Sequence, residues 1–133
     1  MRGIIISLLA LSLACGGDGG TNPASDSIDG TYTLRTINGS TLPFTFSNGA
    51  SSVVILGDIV TVATNGTWSE STSYRQTING QTTTGTWADG GSWIRAGQAV
   101  TLTSNLQGSF HGTFSGSGLD LLDDSGFRFV YSK

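Results

Sequence analysis

Trp68, Glu70, Thr72 and Tyr74 stand at every second position of the segment TWSESTSY. That spacing puts side chains on one face of an extended strand. An indole, a carboxyl, a hydroxyl and a phenol on one face are the parts of a small-molecule site, in which an aromatic wall carries a few orienting polar groups. Two arrangements are open. In one, the face looks into a polar interior or a mouth, and Trp68, Glu70, Thr72, Tyr74 and the nearby Trp87 contact a ligand. In the other, Trp68 alone enters a core and Glu70 stays exposed at the rim. The second is the simpler, because a carboxylate buried without partners is costly.

Other chemistry is sparse. His111 is the single histidine, and alternation aims it away from Phe110 and Phe114, toward solvent. A catalytic histidine needs a nucleophile or a carboxylate within hydrogen-bond reach. No nucleophile elbow, metalloprotease helix or phosphate-binding loop occurs. One histidine and one cysteine argue against zinc. Asp123-Asp124-Ser125-Gly126 lacks the spaced acids of a calcium loop and reads as a polar turn. Asn38-Gly39-Ser40 and Asn65-Gly66-Thr67 match the glycosylation sequon, but both pairs already have a turn role. No enzyme activity, metal or cofactor is expected.

Strands must position these groups. Charged residues make up only 11% of the 133-residue chain. Ser, Thr, Asn, Gln and Gly carry the polarity, a mix suited to sheet surfaces and tight turns. Asn-Gly recurs at 38–39, 48–49, 65–66 and 79–80, and Asp-Gly at 29–30 and 89–90. Asn-Gly is the strongest short signal for a hairpin, since a type I′ turn needs positive φ at both central residues. Between these marks the sequence predicts strands near 31–37, 42–47, 51–56, 58–64, 67–76, 81–87, 92–96, 98–104, 109–115, 118–122 and 127–132. Some of these are halves of one bent strand. Tyr32 with Leu34, Val100 with Leu102, Phe110 with Phe114, Leu119 with Leu121, and Phe127 with Phe129 and Tyr131 share core faces. Sequential hairpins with one apolar face each favour an all-β, antiparallel, up-and-down barrel of about eight strands, with a β-sandwich as the alternative.

The chain opens with a short basic start, Met1-Arg2, and an apolar run over residues 3–14, GIIISLLALSLA. Twelve residues are too few for a bilayer span, which takes about 20, and suit the apolar region of a secretory signal. Cys15 follows at once. This resembles the bacterial lipoprotein signal, in which a small residue, here Ala14, precedes a lipid-modified cysteine; Ser12 stands where that pattern usually has Leu. The resemblance implies residues 1–14 as signal peptide, acylation of Cys15, anchoring in the lipid bilayer and an exported protein on the bacterial cell envelope, at the outer membrane. Residues 15–28, rich in Gly, Ser, Asp and Pro, read as a tether, and 29–133 as the folded domain. From Cys15 onward, five Lys+Arg face nine Asp+Glu, a formal charge of −4. The basic residues are scattered, which disfavours nucleic acid.

Gly-Thr-aromatic recurs as Gly30-Thr31-Tyr32, Gly66-Thr67-Trp68, Gly85-Thr86-Trp87 and Gly112-Thr113-Phe114. Gly30 and Gly66 read as turn residues before an inward aromatic. Gly85 and Gly112 fall inside strands, where glycine marks a bend or leaves room for a neighbouring ring. An all-β chain that begins DGTYTLRTING and ends GLDLLDDSGFRFVYSK resembles the small lipocalin-like barrels. Lipocalins pack a late arginine across the first-strand aromatic, and Arg128 is the nearest candidate. The resemblance covers residues 29–133 and implies the barrel, but it carries no ligand residues over. The expected function is a non-enzymatic, membrane-anchored domain that binds a small apolar ligand or an envelope protein. The alternatives are an interaction lipoprotein with a solid core, or an accessory or inhibitor domain for an exported enzyme.

Overall fold

The computed structural model describes residues 27–133. The apolar leader, Cys15 and the tether up to residue 26 lie outside the described residues. Ten strands follow in order: β1 (Gly30–Ile37), β2 (Ser40–Thr41), β3 (Phe44–Asn48), β4 (Ser51–Val62), β5 (Thr67–Ile78), β6 (Gln81–Ala96), β7 (Ala99–Ser104), β8 (Ser109–Phe114), β9 (Gly118–Asp123) and β10 (Arg128–Ser132). From β4 to β10 each strand pairs antiparallel with the next. β1 pairs with β10 on one side and β4 on the other. Eight strands thus close an up-and-down barrel, and the β1–β4 pairing removes the free edges a sandwich would keep. β2 and β3 are short additions, on β1 and β4.

The turn chemistry holds in part. Asn38-Gly39 and Asn79-Gly80 have positive φ at both residues, as a type I′ turn requires. At Asn48-Gly49 and Asn65-Gly66 only the glycine does. Asp89-Gly90 is no turn: it lies inside β6, opposite Glu70 and Ser69. The expected strands 51–56 and 58–64 are the two arms of β4, and 81–87 and 92–96 those of β6.

Two irregularities shape the barrel. In β4 the register with β5 shifts between Ile55 and Gly57. In β1 the register with β10 shifts between Leu34 and Thr36. Each extra residue resets the inward phase of its strand. Hence Leu34 and Ile37 both point inward, as do Ile55 and Asp58. The β1–β4 ladder runs only from Gly30–Val62 to Thr33–Ile59. Beyond it the two strands part.

Below that level the interior is filled. Tyr32, Val60, Val62, Trp68, Val100, Leu102, Phe114, Leu119 and Leu121 are all buried, each large side chain contributing roughly 1.5–3 kcal/mol. Ile28, assigned by sequence to the tether, is buried too, and its carbonyl accepts the Tyr32 hydroxyl at 2.5 Å. Lys133 and Arg95 cover this end. The Lys133 ammonium lies 5.2 Å from the Tyr32 ring centroid, and the Arg95 guanidinium 4.6 Å from that of Phe114. Lys133 therefore takes the place expected for Arg128, which pairs on the outer surface with Asp120. Gly30, at φ 138°, makes this possible, since a Cβ there would lie 2.9 Å from Lys133 Cε.

Candidate functional site

Above the core the barrel is hollow. A cavity of about 490 Å³ opens at the end away from Lys133. Its apolar wall comes from Leu34 and Ile37 of β1, Phe46 of β3, Val53 and Ile55 of β4, Phe110 of β8 and Phe129 of β10. Gln107 and Gly108 of the β7–β8 loop, Ser109 of β8, Asp123 at the end of β9, and Asp124 and Ser125 of the β9–β10 turn edge the mouth. Asp58, Glu70, Thr72 and Trp87 complete the lining.

The five sequence candidates separate by depth. Glu70 and Thr72 reach the cavity from β5, and Trp87 stands at the mouth, 42% exposed. Trp68 shares their face but lies beneath, in the core, with its indole N–H donating to the Thr103 carbonyl at 3.1 Å. Tyr74 does not line the cavity. It stacks on Trp87 with ring centroids 4.5 Å apart and holds the indole in place. Gly85 admits that ring: a Cβ there would sit 3.1 Å from the Tyr74 hydroxyl. Gly112 instead admits the β9 backbone at Asp120.

Glu70 is not exposed at a rim. It is mostly buried and hydrogen-bonded to Asp58. The simpler arrangement from sequence is overturned, because the carboxyl has the partner that arrangement assumed missing. Asp58 stands directly opposite Thr72 across the β4–β5 ladder and diagonal to Glu70. It is 3% exposed. Its carboxyl accepts the Thr72 hydroxyl at 3.1 Å and the Tyr131 hydroxyl at 2.6 Å, and the backbone N–H of Ile59 also bonds to it. No buried side-chain polar atom is left unpaired among the described residues.

The pair shares one proton. Burial pushes the Glu70 carboxyl up to about 9, helped by the charge of Asp58, the hydrogen bond to it and the charge of Asp89. Burial also raises Asp58, while its donors Tyr131, Glu70 and Thr72 oppose that rise. At neutral pH the proton therefore stays on Glu70, which donates it toward Asp58. Burial, then the same two carboxyls, raise the Tyr131 phenol well above its ordinary value, so it stays a donor.

Asp58 was missed by sequence reasoning. Counting by twos from Ile55 passes through Gly57 to Ile59 and leaves Asp58 outside. The bulge inverts that phase, and Ile59 is 46% exposed instead. A glycine within an apolar run, ILGDIV, was the available signal. Counting back from Val62 and Val60 does reach Asp58.

The remaining candidates are structural. His111 is exposed, 3.2 Å from the Thr101 hydroxyl and 3.9 Å from Asp124. Asp123 accepts the N–H groups of Ser125 and Phe127, at 2.9 and 2.8 Å, and so builds the β9–β10 turn. Asp124 ties that turn to the β7–β8 loop through the Ser109 N–H at 2.9 Å. No cluster of three metal-ligating side chains occurs among the described residues. No family model, curated protein or solved structure matches the chain.

Proposed function

We propose that the protein is an exported, lipid-anchored, lipocalin-like barrel that binds a small molecule with an apolar body in its open half, without catalysis. The cavity carries this reading. A space of about 490 Å³ falls within the range of ligand sites, and its mix of apolar walls and few convergent polar groups is their usual make-up. A solid-core interaction protein would have no use for this space. The anchor rests on the apolar run over residues 3–14 and on Cys15.

Full-length protein purified in uncharged detergent tests the binding reading. A neutral apolar dye should bind one per chain and quench the tryptophan emission, and Trp87→Ala should weaken it. A protein that takes up neither dye nor any co-purifying small molecule, by native mass spectrometry from its own cells, would overturn the reading. Labelling with an acyl probe tests the anchor. Wild type should label and Cys15→Ala should not.

A further inference from the structure

The charges around the cavity all have one sign. Asp58 of β4, Glu70 of β5, Asp123 at the end of β9 and Asp124 of the β9–β10 turn line it. Asp89 of β6 stands next to Glu70 across the ladder. Tyr131 of β10 is the remaining titratable group at the pair, and it donates. Elements β1, β3, β7 and β8 add no charge to the lining.

The cations of the described residues are elsewhere. Arg95 and Lys133 cover aromatic rings at the closed end. Arg35 bonds Ser132, and Arg128 pairs with Asp120. Arg75 is exposed on an outward position of β5, and His111, exposed on β8, reaches of these acids only Asp124 at the mouth, at 3.9 Å, away from Asp58 and Glu70. Two carboxyls thus meet in a cavity to which the described residues bring no counter-cation, and the proton on Glu70 fills that role. The lining also carries four aromatic side chains, Trp87, Phe110, Phe129 and Phe46, among aliphatic ones. Carboxyls and aromatic rings in one cavity are the chemistry that recognises an organic cation. A fatty acid or another anion would meet only repulsion.

Resting on the binding reading above, we propose that the ligand is an organic cation, an amine with an aromatic or alkyl body, whose ammonium replaces the proton shared by Asp58 and Glu70. The balance is simple. The ammonium enters, the O–H bond of Glu70 breaks, and one proton leaves to solvent. The ammonium N–H groups then donate to two carboxylates. The apolar body lies against the ring walls toward the mouth. Because one proton is released per amine bound, affinity rises with pH while Glu70 is still protonated, by about tenfold per unit.

The test uses the full-length protein and three probes of matched body: 4-phenylbutylamine, 4-phenylbutanol and 4-phenylbutyrate. Titration calorimetry in two buffers of different ionisation enthalpy counts the protons. The amine should bind about tenfold or more tighter than the alcohol near neutral pH, the carboxylate weakest, and the amine alone should release a proton. Glu70→Gln keeps a donor to Asp58. It should still bind the alcohol but lose the proton release and the pH slope for the amine. Equal binding of amine and alcohol, or amine binding without proton release, would overturn the proposal and leave the cavity reading standing. If none of the three binds, the proposal falls, and the neutral dye and native mass spectrometry decide the cavity reading.

Discussion

The two halves of the barrel are built from the same strands and the same alternation, yet they differ in kind. The closed half is dry, filled by Tyr32, Trp68, Leu102, Phe114 and Leu121, and covered by Lys133 and Arg95. The open half is hollow and lined by acids. The boundary falls where β1 and β4 stop pairing, beside the bulges of both strands. Separating the halves this way puts the packing that stabilises the fold at one end. The other end is then free to hold a buried polar pair whose contribution to stability changes with pH.

The contrast can be broken from the closed side first. Phe114→Ala removes a fully buried ring from the core and should cost about 3–5 kcal/mol in urea unfolding. In the open half the sign reverses. Glu70 has a folded value of about 9 against an ordinary 4.5. Its contribution is fully present below that ordinary value and is lost as pH rises toward the folded one. Wild-type stability should therefore fall across this window, by roughly 3 kcal/mol at neutral pH. Glu70→Gln should flatten the fall and be more stable than wild type above neutrality. A wild-type urea midpoint that rises with pH there would contradict the shared proton. Tyr131→Phe links the halves. It keeps the core volume but removes a donor from Asp58, and should cost about 2 kcal/mol, more at high pH than at low. Arg128→Ala, an exposed pair on the outer surface, should leave the urea midpoint unchanged within error. A clear loss would mean that the closed end is not where stability is concentrated.

Much of the closed half was legible in the sequence. The faces Tyr32–Leu34, Val100–Leu102 and Leu119–Leu121 are local patterns of period two, and burial follows them. At the open end the Asn-Gly turns at 38 and 79 are local patterns too, and were legible in the same way. The open half was harder to read because it depends on where that period slips. Asp58 went unseen because one extra residue in β4 moves it from the outer face to the inner. Glu70 was placed on the right face, but its partner lies on another strand, so its exposure could not be settled. The strand halves joined at Asp89-Gly90 were divided by a dipeptide that usually turns, while pairing with β5 keeps it extended. Lys133 displaced Arg128 over Tyr32 because the alternation of β10 sends Arg128 outward and only the last residue reaches the barrel floor. Cavity volume is a sum over eight strands and two loops, and no short window contains it.

The hydrogen bond from Lys133 to the Ser27 carbonyl, at 2.9 Å, has a consequence for orientation. It fixes the point where the chain enters the barrel, and that point is the sealed pole. Whatever lies upstream of Ser27 is joined to the sealed pole, so the opening looks the other way. Were the upstream segment held at a surface, the cavity would open away from that surface, toward the surrounding medium.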